Sequence, residues 1–137
     1  MNTTTINVIR KNANGSYQFL TSALPSYCVM SKQQFADLIA ELECLKTADA
    51  SAQPAPVANF PDFQGFSRTM RVFIKKDVGA YEGYWLQTNL HSDFLCRMNQ
   101  AQFERLIGEL IKLQDSVSCA AKMPEVYFPD FTYPITG

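Results

Sequence analysis

Several things are scarce in this 137-residue chain, and each scarcity removes a class of function. Charged residues are only 18% of the sequence and the formal net charge is −1. No bulk electrostatic pull toward nucleic acid or an anionic membrane follows from such a balance. There is one histidine, His91, and four cysteines, Cys28, Cys44, Cys96 and Cys119, with no C-x-x-C pair. A zinc site needs several such ligands at close spacing, so no metal site is expected. The cysteines read instead as reduced thiols of a cytoplasmic protein. The six glycines are scattered and form no G-x-x-x-x-G-K, which leaves no phosphate cradle and no expected cofactor. No apolar run approaches the roughly 20 residues of a membrane span. Met1-Asn2-Thr3-Thr4-Thr5 has neither the basic nor the apolar region of a signal peptide. No membrane partner is expected.

Catalytic constellations are scarce too. His91-Ser92-Asp93 contains triad residue types, but three consecutive residues cannot present their side chains in triad geometry. A Cys96–His91 thiol-base pair has no counterpart at the matching Cys28, where Ala23 stands in the histidine's place. The chain reads as non-enzymatic.

What is present is a repeat. Cys28-Val29-Met30-Ser31-Lys32-Gln33-Gln34-Phe35 returns 68 residues later as Cys96-Arg97-Met98-Asn99-Gln100-Ala101-Gln102-Phe103. Ser31 and Asn99 are N-cap residues, and Gln34 and Gln102 complete a capping box three positions on. Met30 with Phe35, and Met98 with Phe103, have the spacing of a hydrophobic staple. Behind them Phe35, Leu38, Ile39, Leu42 and Leu45 share one helical stripe, as do Phe103, Leu106, Ile107, Leu110 and Leu113. The spacing predicts helices over 32–46 and 100–114.

Strands are predicted at 6–10, 16–22 and 27–30, with Asn14-Gly15 as the hairpin turn, and again at 70–76, 84–89 and 94–98. In a constant step of 68, Trp85 is the mate of Tyr17 and Gly83 the mate of Gly15. The expected fold is α+β: tandem ββ(β)α repeats in a pseudo-twofold arrangement, forming an antiparallel sheet with two helices packed on one face. Residues 1–137 make one domain, with repeat 1 at 1–66, including a linker-like segment at 47–59, and repeat 2 at 67–137. Neither half is long enough to bury a sufficient core alone.

After each helix comes an aromatic-Pro-Asp-aromatic tail: Phe60-Pro61-Asp62-Phe63 and Phe128-Pro129-Asp130-Phe131. One reading makes each tail a strap that closes the core. The other makes Phe60, Asp62, Phe63, Phe128, Asp130 and Phe131 a paired surface that grips a partner, visible as an exposed apolar patch. A proton-sharing dyad of Asp62 and Asp130 lacks the small residues that follow such an Asp.

Ile6-Asn7-Val8-Ile9-Arg10-Lys11-Asn12-Ala13-Asn14-Gly15-Ser16-Tyr17-Gln18-Phe19-Leu20 resembles the middle strands of a PUR-repeat or Whirly-type nucleic-acid-binding protein. Arg71-Val72-Phe73-Ile74-Lys75-Lys76, followed by Tyr84-Trp85-Leu86, looks like the second copy. The resemblance implies single-stranded nucleic acid stacked on Tyr17, Phe19 and Trp85, with Arg10, Lys11, Lys75 and Lys76 at its backbone. The plainer reading of these residues is a pair of solvated basic turns beside core aromatics.

Together these features point first to a non-enzymatic interaction protein, a small regulator or inhibitor that binds a protein partner through a pseudo-symmetric surface. The alternative is a single-stranded nucleic-acid-binding module. A third reading places a small apolar ligand between the repeats. The chain itself would be a monomer or a homodimer.

Overall fold

The computed structural model describes residues 2–22, 27–49, 56–61, 71–77, 83–88, 94–129 and 131–134; at 2–5, 77, 88, 94 and 131–134 it describes the backbone alone. The elements in chain order are β1 (Asn2–Thr5), β2 (Asn7–Lys11), β3 (Tyr17–Thr21), β4 (Tyr27–Met30), α1 (Lys32–Thr47), β5 (Val57–Asn59), β6 (Val72–Asp77), β7 (Gly83–Thr88), β8 (Phe94–Met98), α2 (Gln100–Asp115), β9 (Glu125–Tyr127) and β10 (Phe131–Pro134).

Both helices start as their sequences dictate. Ser31 Oγ accepts from the Gln34 N–H at 3.1 Å while Gln34 Oε1 accepts from the Ser31 N–H at 2.8 Å. Asn99 and Gln102 repeat the exchange at 2.8 and 2.9 Å. Each box satisfies two otherwise orphaned amides, and an alanine at such a cap costs about 1 kcal/mol. The stripes Phe35–Leu45 and Phe103–Leu113 are buried on both helices. Each helix runs one residue past its expected end.

The expected single sheet is replaced by two four-stranded antiparallel sheets, ordered β4-β3-β2-β9 and β5-β6-β7-β8, with β1 and β10 forming a separate two-stranded ribbon. The reason lies in two short strands hidden in the polar segments. β5 follows α1 but pairs with β6 of the later hairpin, Ala58 opposite Ile74. β9 follows α2 but pairs with β2 of the earlier hairpin, Ile9 opposite Val126. Each hairpin's open edge is therefore filled by a crossing strand rather than by the other hairpin, and among the described residues the two sheets stay separate. The last residues of the linker-like 47–59 segment are one of these strands.

The buried apolar side chains of both sheets and both helices form one continuous cluster. Tyr17 stacks on Phe35 with centroids 3.8 Å apart and planes 9° apart; Tyr84 stacks on Phe103 at 3.8 Å and 6°. Tyr84, not Trp85, thus does for α2 what Tyr17 does for α1. The constant step of 68 fails here because the second turn is longer. Five residues separate the paired Lys11 and Tyr17, while seven separate the paired Lys76 and Tyr84. A register irregularity between Leu86 and Gln87 supplies one more residue before Cys96.

The first turn also differs from a two-residue Asn-Gly hairpin. Asn12 N–H donates to Ser16 O at 2.8 Å and Gly15 N–H to Asn12 O at 3.0 Å, and only Gly15 has positive φ, +89°. This is a three-residue loop with glycine at the left-handed position. The sheets are tied by the buried Asn7, whose Nδ2 donates to Leu95 O at 3.0 Å.

Candidate functional site

The aromatic-Pro-Asp-aromatic tails begin as straps. Phe60 and Phe128 are 4% and 3% exposed, so these two rings form no surface patch. Both lie against Phe19, Phe60 at 4.9 Å between centroids and Phe128 at 5.8 Å in an edge-on arrangement. The prolines that follow are held by thiols: Cys28 Sγ donates to Pro61 O at 3.2 Å, and Cys96 Sγ to Pro129 O at 3.2 Å. The position of the two matching cysteines is explained by this contact, which the sequence did not suggest. Asp62, Phe63 and Asp130 lie outside the described residues. The backbone of Phe131 pairs with Thr5 at the start of β10.

The basic and aromatic residues proposed for nucleic acid do not share one face. Lys11 Nζ donates to Gln114 O and Ser116 O at 2.8 and 2.6 Å, capping the C-terminus of α2. Lys76 Nζ donates to Lys46 O and Ala48 O, both at 2.9 Å, capping α1. An ammonium group with three donors suits the unsatisfied carbonyls and negative dipole of a helix end. Each cation also lies over the tyrosine of its own hairpin, Lys11 at 5.8 Å from Tyr17 and Lys76 at 5.5 Å from Tyr84. Tyr17 and Phe19 are buried on the same inward face. Burial pushes the hydroxyls of Tyr17 and Tyr84 above the usual tyrosine range; nearby Asp115 adds to the rise at Tyr17, while a bond to Gln100 partly offsets it at Tyr84.

On the opposite, outward face are Arg10, Lys75 and Trp85. Arg10 pairs with Glu125 at 3.1 Å. Lys75 stands opposite Trp85, and Trp85 opposite Arg97, whose guanidinium lies 5.2 Å from the indole ring. The indole is only 6% exposed.

The outward face of the first sheet is different. By register, Tyr27 stands opposite Leu20, Leu20 opposite Val8, and Val8 opposite Tyr127. This is an apolar row across all four strands, with Tyr27 and Tyr127 at 45% and 55% exposure and Val29 beside it at 42%. Sequence reasoning missed it, although the signal existed. With Ile9, Tyr17 and Phe19 inward, the two-residue period of a strand sends Val8 and Leu20 outward.

Open grooves lie between each helix and the strand that follows it, about 480 Å³ beside α2 and β9 and about 400 Å³ beside α1 and β5. Among the described residues there is no group of three His, Cys, Asp or Glu side chains that could hold a metal. His91, Ser92 and Asp93 lie outside them. All four cysteines are free, Cys44 and Cys119 exposed. No described helix is long and apolar enough to cross a membrane. No family model, curated protein or solved structure matches the chain.

Proposed function

We propose that this chain is a non-catalytic interaction protein, a small regulator or inhibitor that binds a protein partner. In this reading its two hairpin-helix units stand in tandem in a pseudo-twofold arrangement, and each lends the strand after its helix to the other's sheet. The observation that carries the reading is the row Tyr27–Leu20–Val8–Tyr127 on the outward face of the first sheet. An apolar row that crosses four strands and is exposed at both ends, at Tyr27 and Tyr127, marks a surface that is covered in use. The tail aromatics are not that surface at Phe60 and Phe128, because both rings serve the core.

The sheet beneath the row is braced: its other face is the packed core, Phe128 is buried against it, and the thiol of Cys96 donates to Pro129 O. A preorganised apolar face loses little conformational entropy on binding.

The test is a photo-reactive amino acid placed at Leu20 in the producing cell, with Asp37 on the exposed face of α1 as control position. The expected result is a protein adduct formed from Leu20 and not from Asp37. The adduct partner, purified, should bind the wild-type chain and lose about tenfold or more affinity to Leu20→Lys. Adducts of equal yield from both positions, or none from Leu20, would remove the reading.

A second reading, single-stranded nucleic-acid binding, is favoured by the Lys75–Trp85–Arg97 row of the second sheet. Against it stand the covered indole and the engagement of Lys11 and Lys76 at the helix ends.

A further inference from the structure

β9 is an edge strand with one side taken and the other open. Lys11 N–H donates to Pro124 O and Phe128 N–H to Asn7 O, both at 3.0 Å, in the register that sets Ile9 opposite Val126. Antiparallel pairing alternates, so the backbone groups of Pro124, Val126 and Phe128 face β2, and the N–H and C=O groups of Glu125 and Tyr127 point away from it. Among the described residues nothing bonds to these four outward groups. Beside them runs the C-terminal half of α2. The groove between the two has Leu113 and Val126 in its lining and Glu109 and Lys112 on its helix wall.

The edge of β5 offers a comparison within the same molecule. Lys76 N–H donates to Pro56 O and Phe60 N–H to Val72 O, so Val57 and Asn59 point their backbone groups outward. There the Glu41 carboxylate accepts from the Asn59 N–H at 3.3 Å. Glu109 and Tyr127 stand 68 residues beyond Glu41 and Asn59. No hydrogen bond among the described residues joins Glu109 to the Tyr127 N–H. Among the described residues, one edge has an outward donor taken by the chain's own carboxylate and the other has none taken.

We propose that the β9 edge takes an extended peptide segment of a protein partner as an added strand, seated between β9 and α2. This deepens the protein-binding reading and rests on it. Donors and acceptors alternating along a strand edge are matched by another extended backbone, and the groove alongside sorts its side chains. The inward positions meet Leu113 and must be small or apolar. Exposed Glu109 and Lys112, three residues apart on the helix wall, set the order of charge: the peptide carries a basic side chain nearer Glu109 and an acidic one nearer Lys112.

The probe is a phage-displayed library of random short peptides panned against the immobilised full chain, with enriched sequences synthesised and labelled. Tyr127→Pro removes an outward donor that the β2 ladder does not use. It should weaken peptide binding about tenfold or more, whereas Val57→Pro, which removes an outward donor of the β5 edge instead, should change it by less than about threefold. In the wild-type protein, bound peptide should slow amide exchange at Tyr127 and Glu125 about tenfold or more, a readout that does not need the proline variant to fold. Failure to enrich any peptide overturns the inference. So does binding that ignores Tyr127→Pro and leaves both amides exchanging freely. Peptides that instead lose binding on Leu20→Lys, with the β9 amides unprotected, would sink the groove and leave the sheet-face reading standing.

Discussion

Cys28 Sγ lies 3.2 Å from the carbonyl oxygen of Pro61, 33 residues further along the chain, and Cys96 holds Pro129 at the same distance and separation. Both thiols are fully buried, whereas Cys44 and Cys119 are exposed. A thiol reagent on the native protein should therefore modify two of the four cysteines quickly and the other two only on unfolding. Cys28→Ala removes a weak donor and leaves a small void beneath the tail, for an expected loss of about 1–2 kcal/mol by urea denaturation. Rapid modification of all four thiols in native buffer would contradict the latch.

Lys11 and Lys76 should behave as structural residues. Each donates twice to the last carbonyls of a helix, and Lys11 is 9% exposed. Replacing either by methionine keeps most of the stem and strands two carbonyls. The expected cost is about 2 kcal/mol in denaturant midpoints, against nearly nothing for Lys75→Met on the outward face. Equal, negligible effects at all three lysines would remove the capping assignment.

Local chemistry was legible and long-range pairing was not. The capping boxes and stripes of α1 and α2 involve residues three or four apart, so spacing alone revealed them. β5 and β9 are three residues each; Val57-Ala58-Asn59 and Glu125-Val126-Tyr127 become strands only because β6 and β2 present an open edge. Nothing local says that Lys11 reaches a helix end 103 residues away. The mismatch of Tyr17 with Trp85 came from turn length, since two added residues and one irregularity shift the count without changing the packing. By sequence the tails suit a strap and a gripping surface alike, because hydrophobicity is the same for a buried Phe60 and an exposed one.

The two raised tyrosines make a prediction about alkaline pH. A phenol that is held neutral by burial keeps its proton to higher pH in the folded chain than in the unfolded chain. Above the ordinary tyrosine value of 10.0 the unfolded chain has fewer protons bound, so stability falls as pH rises further. The contribution is fully present below that value and is lost through the folded value. Tyrosinate absorbance should show Tyr17 and Tyr84 titrating above the ordinary tyrosine range. Tyr17→Phe with Tyr84→Phe should flatten the alkaline slope of stability while keeping both ring stacks. An unchanged slope would contradict the burial of these hydroxyls.

Glycine 83 should be the least replaceable glycine described. Its φ is +144°, and a Cβ there would lie 2.6 Å from the Met98 carbonyl oxygen, a backbone atom that cannot step aside. Gly15, at φ +89°, would meet only the end of the Lys32 side chain at 3.6 Å. Both substitutions to alanine force a left-handed φ on a residue with a side chain, for about 1 kcal/mol at Gly15. At Gly83 the β7–β8 pairing must also open, so about 3 kcal/mol is expected. Thermal or urea denaturation of the two variants measures the order directly. A Gly83→Ala variant as stable as Gly15→Ala would mean that the two strands do not approach this closely.

Oligonucleotide anisotropy decides between the two functional readings. Stacking a base requires an open ring face, and the indole of Trp85 is covered, with the guanidinium of Arg97 set against it. With Lys11 and Lys76 engaged at the helix ends and Arg10 paired with Glu125, three of the four cations proposed for the phosphate backbone are taken, so counterion release through them would be small and the salt slope shallow. The expected outcome is flat anisotropy with labelled single strands at low and moderate salt. Single-strand-preferring, salt-sensitive binding that Lys75→Glu and Arg97→Glu abolish, and that Leu20→Lys leaves intact, would move the function from the first sheet to the second. It would also require Arg97 to swing off the indole, which would appear as quenching of the chain's one tryptophan when the oligonucleotide is added.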